Sequence, residues 1–499
     1  MKVLLVSSNL HSQFPACFPN AVGALSAYLT REGHEVRALH LARKRDFRKV
    51  GPALRDFAPD VVGISAVTCE TPIIAPVAKE ARAYSATLPI LVGGIHAIVA
   101  PESVFEVKEV DGLCYGEGEL AFAEYLRRLE SGNDPQATPN FYYRVAGEFR
   151  KNPPVPFIED LDSLPMMDRS VADLQEVINA NNGTINLIFS RGCPWNCQFC
   201  CNHHIKRMQP GTYARVISVP NVMAELRKLA ASYRFRHILF RDDTFTWNRE
   251  WAMEFVEAYR KEFSYPFDVF SRVDCLDDGM IDALADAGCR HIFLGLDSGN
   301  DYIRNKVLNK EQLNEDLFRV TDRMRDRGII PMVSNIVGLP YETPEMFQDT
   351  VEINKRLHKD RVVFSPSCGA CPKIWVFTPW PGSDLYKLCK NEGWLQEDPT
   401  SAKVYRESVL EMPTFPRKEI DRQFRTFRYR VYKDNHPLHA LLFLMYDSRP
   451  VQAVFERIPM GAMGAVRETF LAALNPQRRR EVLGRLLGNM RAYRSRNAA

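Results

Sequence analysis

Cys193, Cys197 and Cys200 stand at C-x3-C-x2-C spacing in the run Ser190-Arg191-Gly192-Cys193-Pro194-Trp195-Asn196-Cys197-Gln198-Phe199-Cys200. The loop directly follows an apolar, β-branched stretch, 184–189. A fully ligated 4Fe–4S cluster takes four cysteines, so three thiols on one short loop leave an iron open to a small molecule. That open position is where chemistry can occur. Two plainer readings exist: buried structural cysteines, or half of a zinc site completed by the second C-x2-C at Cys368 and Cys371, since zinc prefers four ligands. Cys201 is expected to be a bystander, because successive side chains rarely reach one metal from the same loop.

Strand, spacing and the aromatic Phe199 before the last thiol together resemble the signature of radical S-adenosylmethionine (radical SAM) enzymes. The resemblance implies that the open iron chelates the methionine end of S-adenosylmethionine (SAM) and that an electron cleaves its sulfonium. The resulting 5′-deoxyadenosyl radical then takes a hydrogen atom from a small-molecule substrate. An electron donor such as flavodoxin or ferredoxin is implied, and the protein's part is to place the cofactors and shield the radical.

The loop must be carried by a larger frame. From 184 to about 390 strands and helices alternate, with strands at 184–189, 237–240, 267–271, 291–294, 332–337 and 375–377. The radical SAM resemblance implies a partial (β/α)6 barrel, whose cofactor contacts lie at the carboxyl ends of the strands. Asp242 and Asp243 fall where the family contacts the methionine amino group. Ser271 and Arg272 end the next strand. Gly295-Leu296-Asp297-Ser298 resembles G-x-E-S with aspartate for glutamate, and Gly338 to Thr343 resembles G-L-P-G-E-T with Tyr341 for glycine. Phe199, Asp243, Arg272 and Ser298 are the candidate contacts. For the acids and Ser298 the plain alternative is a helix cap or surface turn.

The first 125 residues alternate in the same way, with strands at 2–7, 34–41, 61–67, 89–92 and 112–115. This implies an open, doubly wound α/β sheet that binds ligands at its strands' carboxyl ends. Gly93-Gly94-Ile95-His96, Pro101-Glu102 and Gly116-Glu117-Gly118-Glu119 resemble the cobalamin-binding domain that precedes many radical SAM barrels. The resemblance implies cobalamin contacts at Ser65, Thr68, Gly93, Gly94, Gly116 and Glu117. The D-x-H-x-x-G motif that supplies a lower histidine ligand is absent: the loop reads Asn9-Leu10-His11-Ser12-Gln13-Phe14. Without a carboxylate to orient it, His11 is expected to be a polar loop residue, and His96 structural or a tail contact.

The expected organisation is a cobalamin-binding domain (1–130), a proline-rich linker (131–183), the radical SAM barrel (184–400) and a helical C-terminal cap (401–499). At 499 residues with 45% hydrophobic and 25% charged content, the chain is of ordinary globular composition. No apolar run approaches the ~20 residues of a membrane span, and twelve cysteines without a framework pattern suggest a reducing, cytoplasmic setting. The net charge of +4 is concentrated in 477–499, where seven arginines face one acid. The body carries no nucleic-acid footprint, and the basic last helix, apolar on one side, is expected to dock on the protein or touch an anionic membrane. The reading is a cobalamin-dependent radical SAM methyltransferase acting on an unactivated carbon or phosphorus. The alternatives are a radical SAM oxidative cyclase or rearrangement enzyme, since anaerobic magnesium-protoporphyrin ester cyclases look similar, and a non-catalytic zinc- or cobalamin-binding regulator.

Overall fold

The computed structural model describes residues 1–10, 17–145, 148–365, 369–399 and 405–456. The first sheet has five parallel strands, β1 (Lys2–Ser8), β2 (Glu35–Leu41), β3 (Val61–Ser65), β4 (Ile90–Gly93) and β5 (Gly112–Cys114), in the order β2-β1-β3-β4-β5. Val3 to Val6 are all buried, as a strand covered on both faces requires. Val3 and Leu5 pack with Val22, Leu29, Phe122 and Leu126 of the helices Asn20–Arg31 and Gly118–Glu130. Leu4 and Val6 pack with Leu54 and Val77 of the helices Val50–Phe57 and Ile74–Tyr84. This is the expected doubly wound domain.

The sheet does not stop where the proline-rich segment begins. Residues 131–183, expected as a linker, supply two antiparallel edge strands, β6 (Phe141–Val145) and β7 (Glu148–Lys151). Gly112 admits β6, because a Cβ there would lie 2.5 Å from the Tyr143 ring. The remainder of the segment runs between the domains in short turns capped by Asp160, Asp168 and Asp173, each side chain taking one of the N–H groups that open a helical turn. It is stitched to the first domain by Ser26 Oγ to Asp168 (2.8 Å) and to the second by the buried pair Arg169–Glu225 (3.1 Å).

The second sheet begins with β8 (Thr184–Leu187). A small ribbon follows, β9 (Ser190–Arg191) against β10 (Arg215–Val216). The large strands are β11 (His237–Phe240), β12 (Phe267–Ser271), β13 (Cys289–Asp297) and β14 (Ile330–Val337); after the short pair β15 (Phe364–Ser365) and β16 (Gly369–Ala370) comes β17 (Lys373–Val376). The six parallel strands lie in sequence order, β8-β11-β12-β13-β14-β17, giving the expected partial barrel. Leu239, Phe293 and Met332 fill its interior with Phe270 and Ile330 packed on them. At the amino ends of the strands Asp268 holds His291 Nδ1 at 2.7 Å and His237 Nε2 at 2.9 Å on separate oxygens, a buried clamp at the floor.

Cys371 lies in this interior cluster at the amino end of β17, fully buried with its thiol toward Val333 O (3.8 Å); burial pushes the thiol up to about 11. Its companion Cys368 lies outside the described residues, as do His11 and the basic segment 477–499. The C-terminal part begins with the helix Arg417–Tyr432, whose Ile420, Phe427 and Val431 are buried as their spacing predicts, while Gln423 is buried and Phe424 only half so. Phe427 packs on Phe347 and Tyr432 Oη donates to Cys371 O at 2.6 Å. Among the described residues no helix is long and apolar enough to cross a membrane.

Candidate active site

The three thiols are free and half-buried, on a loop held by hydrogen bonds from several elements. Gln198 N–H donates to Leu308 O (3.0 Å), Leu385 N–H donates to Gln198 O (3.2 Å), and Lys206 Nζ donates to Pro194 O (3.2 Å). Gly192 opens the loop at φ +80°, where a Cβ would sit 2.4 Å from Tyr213 O, so no other residue fits. Phe199 packs on the apolar cluster of the barrel's last strands and the C-terminal helices. Cys201, next in the chain, is likewise free and half-buried.

The donor set distinguishes the metal readings. Among the described residues, the one set of His, Cys, Asp and Glu ligand atoms lying within 4.8 Å of one another is His237, Asp268 and His291. Three thiols on one loop fall one short of the four ligands a structural zinc takes, and suit a 4Fe–4S cluster with one iron left open. Its negative charge has counterions in place: Arg272 Nη1 lies 3.7 Å from Cys197 Sγ, and although burial pushes the Cys197 thiol up, Lys310 and Arg272 pull it back.

Arg272 ends β12 as expected. Its guanidinium lies 4.4 Å from the centroid of Trp195 and is fixed by Asp274 (2.8 and 3.0 Å) and Lys310 O (2.8 Å). Of the two aspartates after β11, Asp242 points away from the mouth. Its Oδ1 accepts from Phe189 N–H (2.9 Å) and Ser190 Oγ (2.6 Å), and burial raises its pKa to about 6. Asp243 faces the thiol loop, accepting from Asn202 Nδ2 at 2.8 Å. Ser298 does not offer the contact expected of it: it is fully buried and its hydroxyl accepts from Asn300 N–H, as a cap. Sequence reasoning missed Lys310. Its buried ammonium bridges Asp297 Oδ2 and Gly295 O, each at 2.5 Å, with Asp297 at φ +60°; no local pattern around Lys310 announces this.

A cavity of about 460 Å³ opens beside the carboxyl ends of the first sheet and reaches the barrel at Ile188, Phe189 and Arg191. Ser65, Gly93, Gly94, Gly116 and Glu117 line it; Thr68 does not. Thr68 is buried and its hydroxyl meets His96 Nδ1 at 3.3 Å, with His96 Nε2 2.7 Å from Ser103 Oγ. Burial takes His96 down to about 4, so it is a neutral packing residue. Gly93 has open space where a Cβ would be, whereas Gly94, at φ +88°, would bring one to 2.7 Å from Ala66 O. A largely apolar cleft floored by small residues fits the nucleotide tail of a cobalamin.

Glu117, besides lining the cavity, holds two arginines. Its carboxylate meets Arg215 at 2.7 Å and Arg191 at 3.1 Å and accepts from Ile158 N–H at 2.8 Å. Burial opposes its ionisation, but the two arginines outweigh this and hold it below the usual carboxylate range. Glu119 takes Arg191 as well, at 2.5 Å. Both acids of the G-E-G-E segment thus grip the arginine two residues before Cys193, and the first domain holds the thiol loop directly.

A domain built to hold a cobalamin, joined by this ion cluster to a radical SAM barrel, defines the class. The sequence profile of the radical SAM superfamily matches residues 187–353, and that of the B12 binding domain matches residues 15–126. An uncharacterized methyltransferase of Pyrococcus horikoshii is 28% identical over 368 residues, covering 73% of this chain and 77% of that protein. The anaerobic magnesium-protoporphyrin IX monomethyl ester cyclase of Rubrivivax gelatinosus is 25% identical over 403 residues, covering 78% and 70%. The solved structure of the cobalamin-dependent S-adenosylmethionine radical enzyme OxsB, with aqua-cobalamin and S-adenosylmethionine bound, shares the fold with a TM-score of 0.69 at 15% identity, over 100% of this chain and 81% of that one. Residues 15–126 thus carry a B12-binding domain and residues 187–353 a radical SAM domain, and the cofactors these domains imply are a 4Fe–4S cluster, SAM and cobalamin.

Proposed function

We propose that this enzyme transfers a methyl group to an unactivated carbon or phosphorus of a small molecule. The observation that carries the reading is the direct grip of Glu117 and Glu119 on Arg191, which sets the cobalamin domain and the thiol loop against each other at one junction. Bound there, the cluster and SAM supply a 5′-deoxyadenosyl radical and the cobalamin a methyl donor. Cys193, Cys197 and Cys200 hold the cluster, Arg272 and Lys310 balance its charge, and Asp243 is placed to meet the SAM amino group. Gly93 leaves room for the cobalamin tail in the cleft that Ser65, Gly94 and Gly116 also line. The electron donor is of the flavodoxin or ferredoxin type, and the setting is the cytoplasm.

The cyclase likeness supports a second reading, oxidative ring closure over the same cofactors. Mass spectrometry of a candidate metabolite turned over anaerobically separates the two: methyl transfer adds one CH2 unit to the product, and cyclisation removes hydrogen without adding carbon. A product lacking the added carbon sinks the first reading.

A further inference from the structure

Arg241 follows β11 by one residue. Leu239 of that strand lies in the barrel's interior cluster and Phe240 in the outer helical layer, so alternation returns Arg241 to the interior side. There its guanidinium lies 5.4 Å from the centroid of Phe270, which itself stacks on Phe293 at 4.7 Å. Its main-chain N–H donates to Leu187 O at 2.7 Å, fixing the base of the side chain at the carboxyl end of the sheet. From the first domain, Cys17 lies close enough for its thiol to feel the guanidinium's charge. The side chain is exposed, with Phe270 of the barrel beside it and Cys17 of the first domain within electrostatic reach.

The other arginines of this junction have carboxylates: Arg191 has Glu117 and Glu119, Arg215 has Glu117, and Arg272 has Asp274. Arg241 has no ion pair among the described residues. The acids that follow it in the chain are engaged elsewhere, Asp242 with Phe189 and Ser190 and Asp243 with Asn202. A guanidinium presents five donors in a rigid fork that matches a planar carboxylate or a phosphate, and its face stacks on aromatic rings.

We propose that Arg241 anchors an anionic group of the substrate, a carboxylate or a phosphate-type group, with part of the substrate's body against Phe270. This deepens the methyl-transfer reading and rests on it for the word substrate. The barrel then selects acids, and a substrate held by its charged end presents its unactivated carbon at a fixed distance from that end, which selective hydrogen abstraction needs.

The test uses the full-length holoenzyme, with cluster and cobalamin loaded and SAM present so that the carboxylate site of SAM itself is filled. Phenylphosphate, benzoate and benzamide are the probes, alike in ring and different in charge, with binding read by calorimetry. The wild type is expected to bind an anionic probe at least about tenfold more tightly than benzamide, as charge-assisted bidentate bonds give. The better of the two anions shows whether the anchor takes phosphate or carboxylate. Arg241→Met should erase the preference, Arg241→Lys should restore part of it, and SAM affinity should stay within about twofold in both, since the anchor is separate from the SAM site. Equal binding of charged and neutral probes by the wild type, or a preference that survives Arg241→Met, overturns the proposal. So does a large loss of SAM affinity in Arg241→Met, which would assign the guanidinium to SAM. Anion preference in a wild type that forms no 5′-deoxyadenosine keeps the anchor and sinks the radical reading, so the two failures are distinct.

Discussion

Gly93 and Gly94 are neighbours with opposite tolerances. A side chain at Gly93 projects into open space at the cavity, while one at Gly94 meets the Ala66 backbone in a left-handed conformation. Gly93→Leu should therefore lower cobalamin content at least severalfold with little change in thermal stability, because it fills the cleft without overpacking the fold. Absorbance of bound cobalamin alongside calorimetry checks this; full cobalamin loading in Gly93→Leu would count against the cavity as its site. Gly94→Trp should instead destabilise the domain itself. At the thiol loop, Cys193→Ala, Cys197→Ala and Cys200→Ala should each lose iron and 5′-deoxyadenosine formation, and Cys201→Ala should keep both. Iron analysis after anaerobic reconstitution decides, and iron retained by any of the first three would contradict the ligand assignment. The triplet was legible because its chemistry lies in local spacing. The ion pairs of Glu117 were not legible, because Arg191 and Arg215 lie 74 and 98 residues away. Lys310 was missed for the same reason, its function arising from a fold that brings it to Asp297 and Cys197.

The turn after β14 shows what an element adds to a motif. Gly338 (φ +82°) and Tyr341 (φ +64°) bend the chain so that Glu342 folds back, its carboxyl accepting from the N–H groups of Gly338 (2.8 Å) and Leu339 (3.3 Å). Burial outweighs these bonds and pushes Glu342 up to about 8. An acid with a raised folded pKa binds its proton more tightly in the native state, so its contribution to stability falls as pH rises from the ordinary value of 4.5 to about 8, and is level above that. Glu342→Gln keeps an acceptor and removes the ionisation. Its melting temperature relative to wild type should rise across that window; a difference independent of pH would contradict the buried, protonated acid. Parallel strands were read well from sequence because runs such as Val3 to Val6 are apolar throughout. The edge strands β6 and β7 were not, since prolines and polar residues surround them and their pairing partner is the distant β5.

At the scale of the whole molecule, the barrel and the first sheet share one apolar cluster, running from Val3 and Phe122 through Leu174 and Ile178 to Ile185 and Phe240. The Glu117 ion cluster lies at the mouth of that shared core. Glu117→Gln leaves Arg191 and Arg215 short of charge, and breaking such a partly buried cluster should cost up to the ~3–5 kcal/mol of a buried pair. It should also uncouple the two cofactors, leaving each bound while methylation falls. Cobalamin and iron contents that stay level as turnover drops would confirm this, and unchanged turnover would contradict it. The domain order was legible because each half carries its own alternation and its own loop motif. The junction was not, because it is made of residues from both.

The central claim is that cobalamin and cluster serve one reaction in this chain. Its most direct test is to supply the anaerobic, reduced holoenzyme with SAM carrying a deuterated methyl group and follow the label by mass spectrometry. Deuterated methyl is expected on the bound cobalamin, together with 5′-deoxyadenosine that disappears in Cys197→Ala. Unlabelled cobalamin in an enzyme that still forms 5′-deoxyadenosine would contradict it.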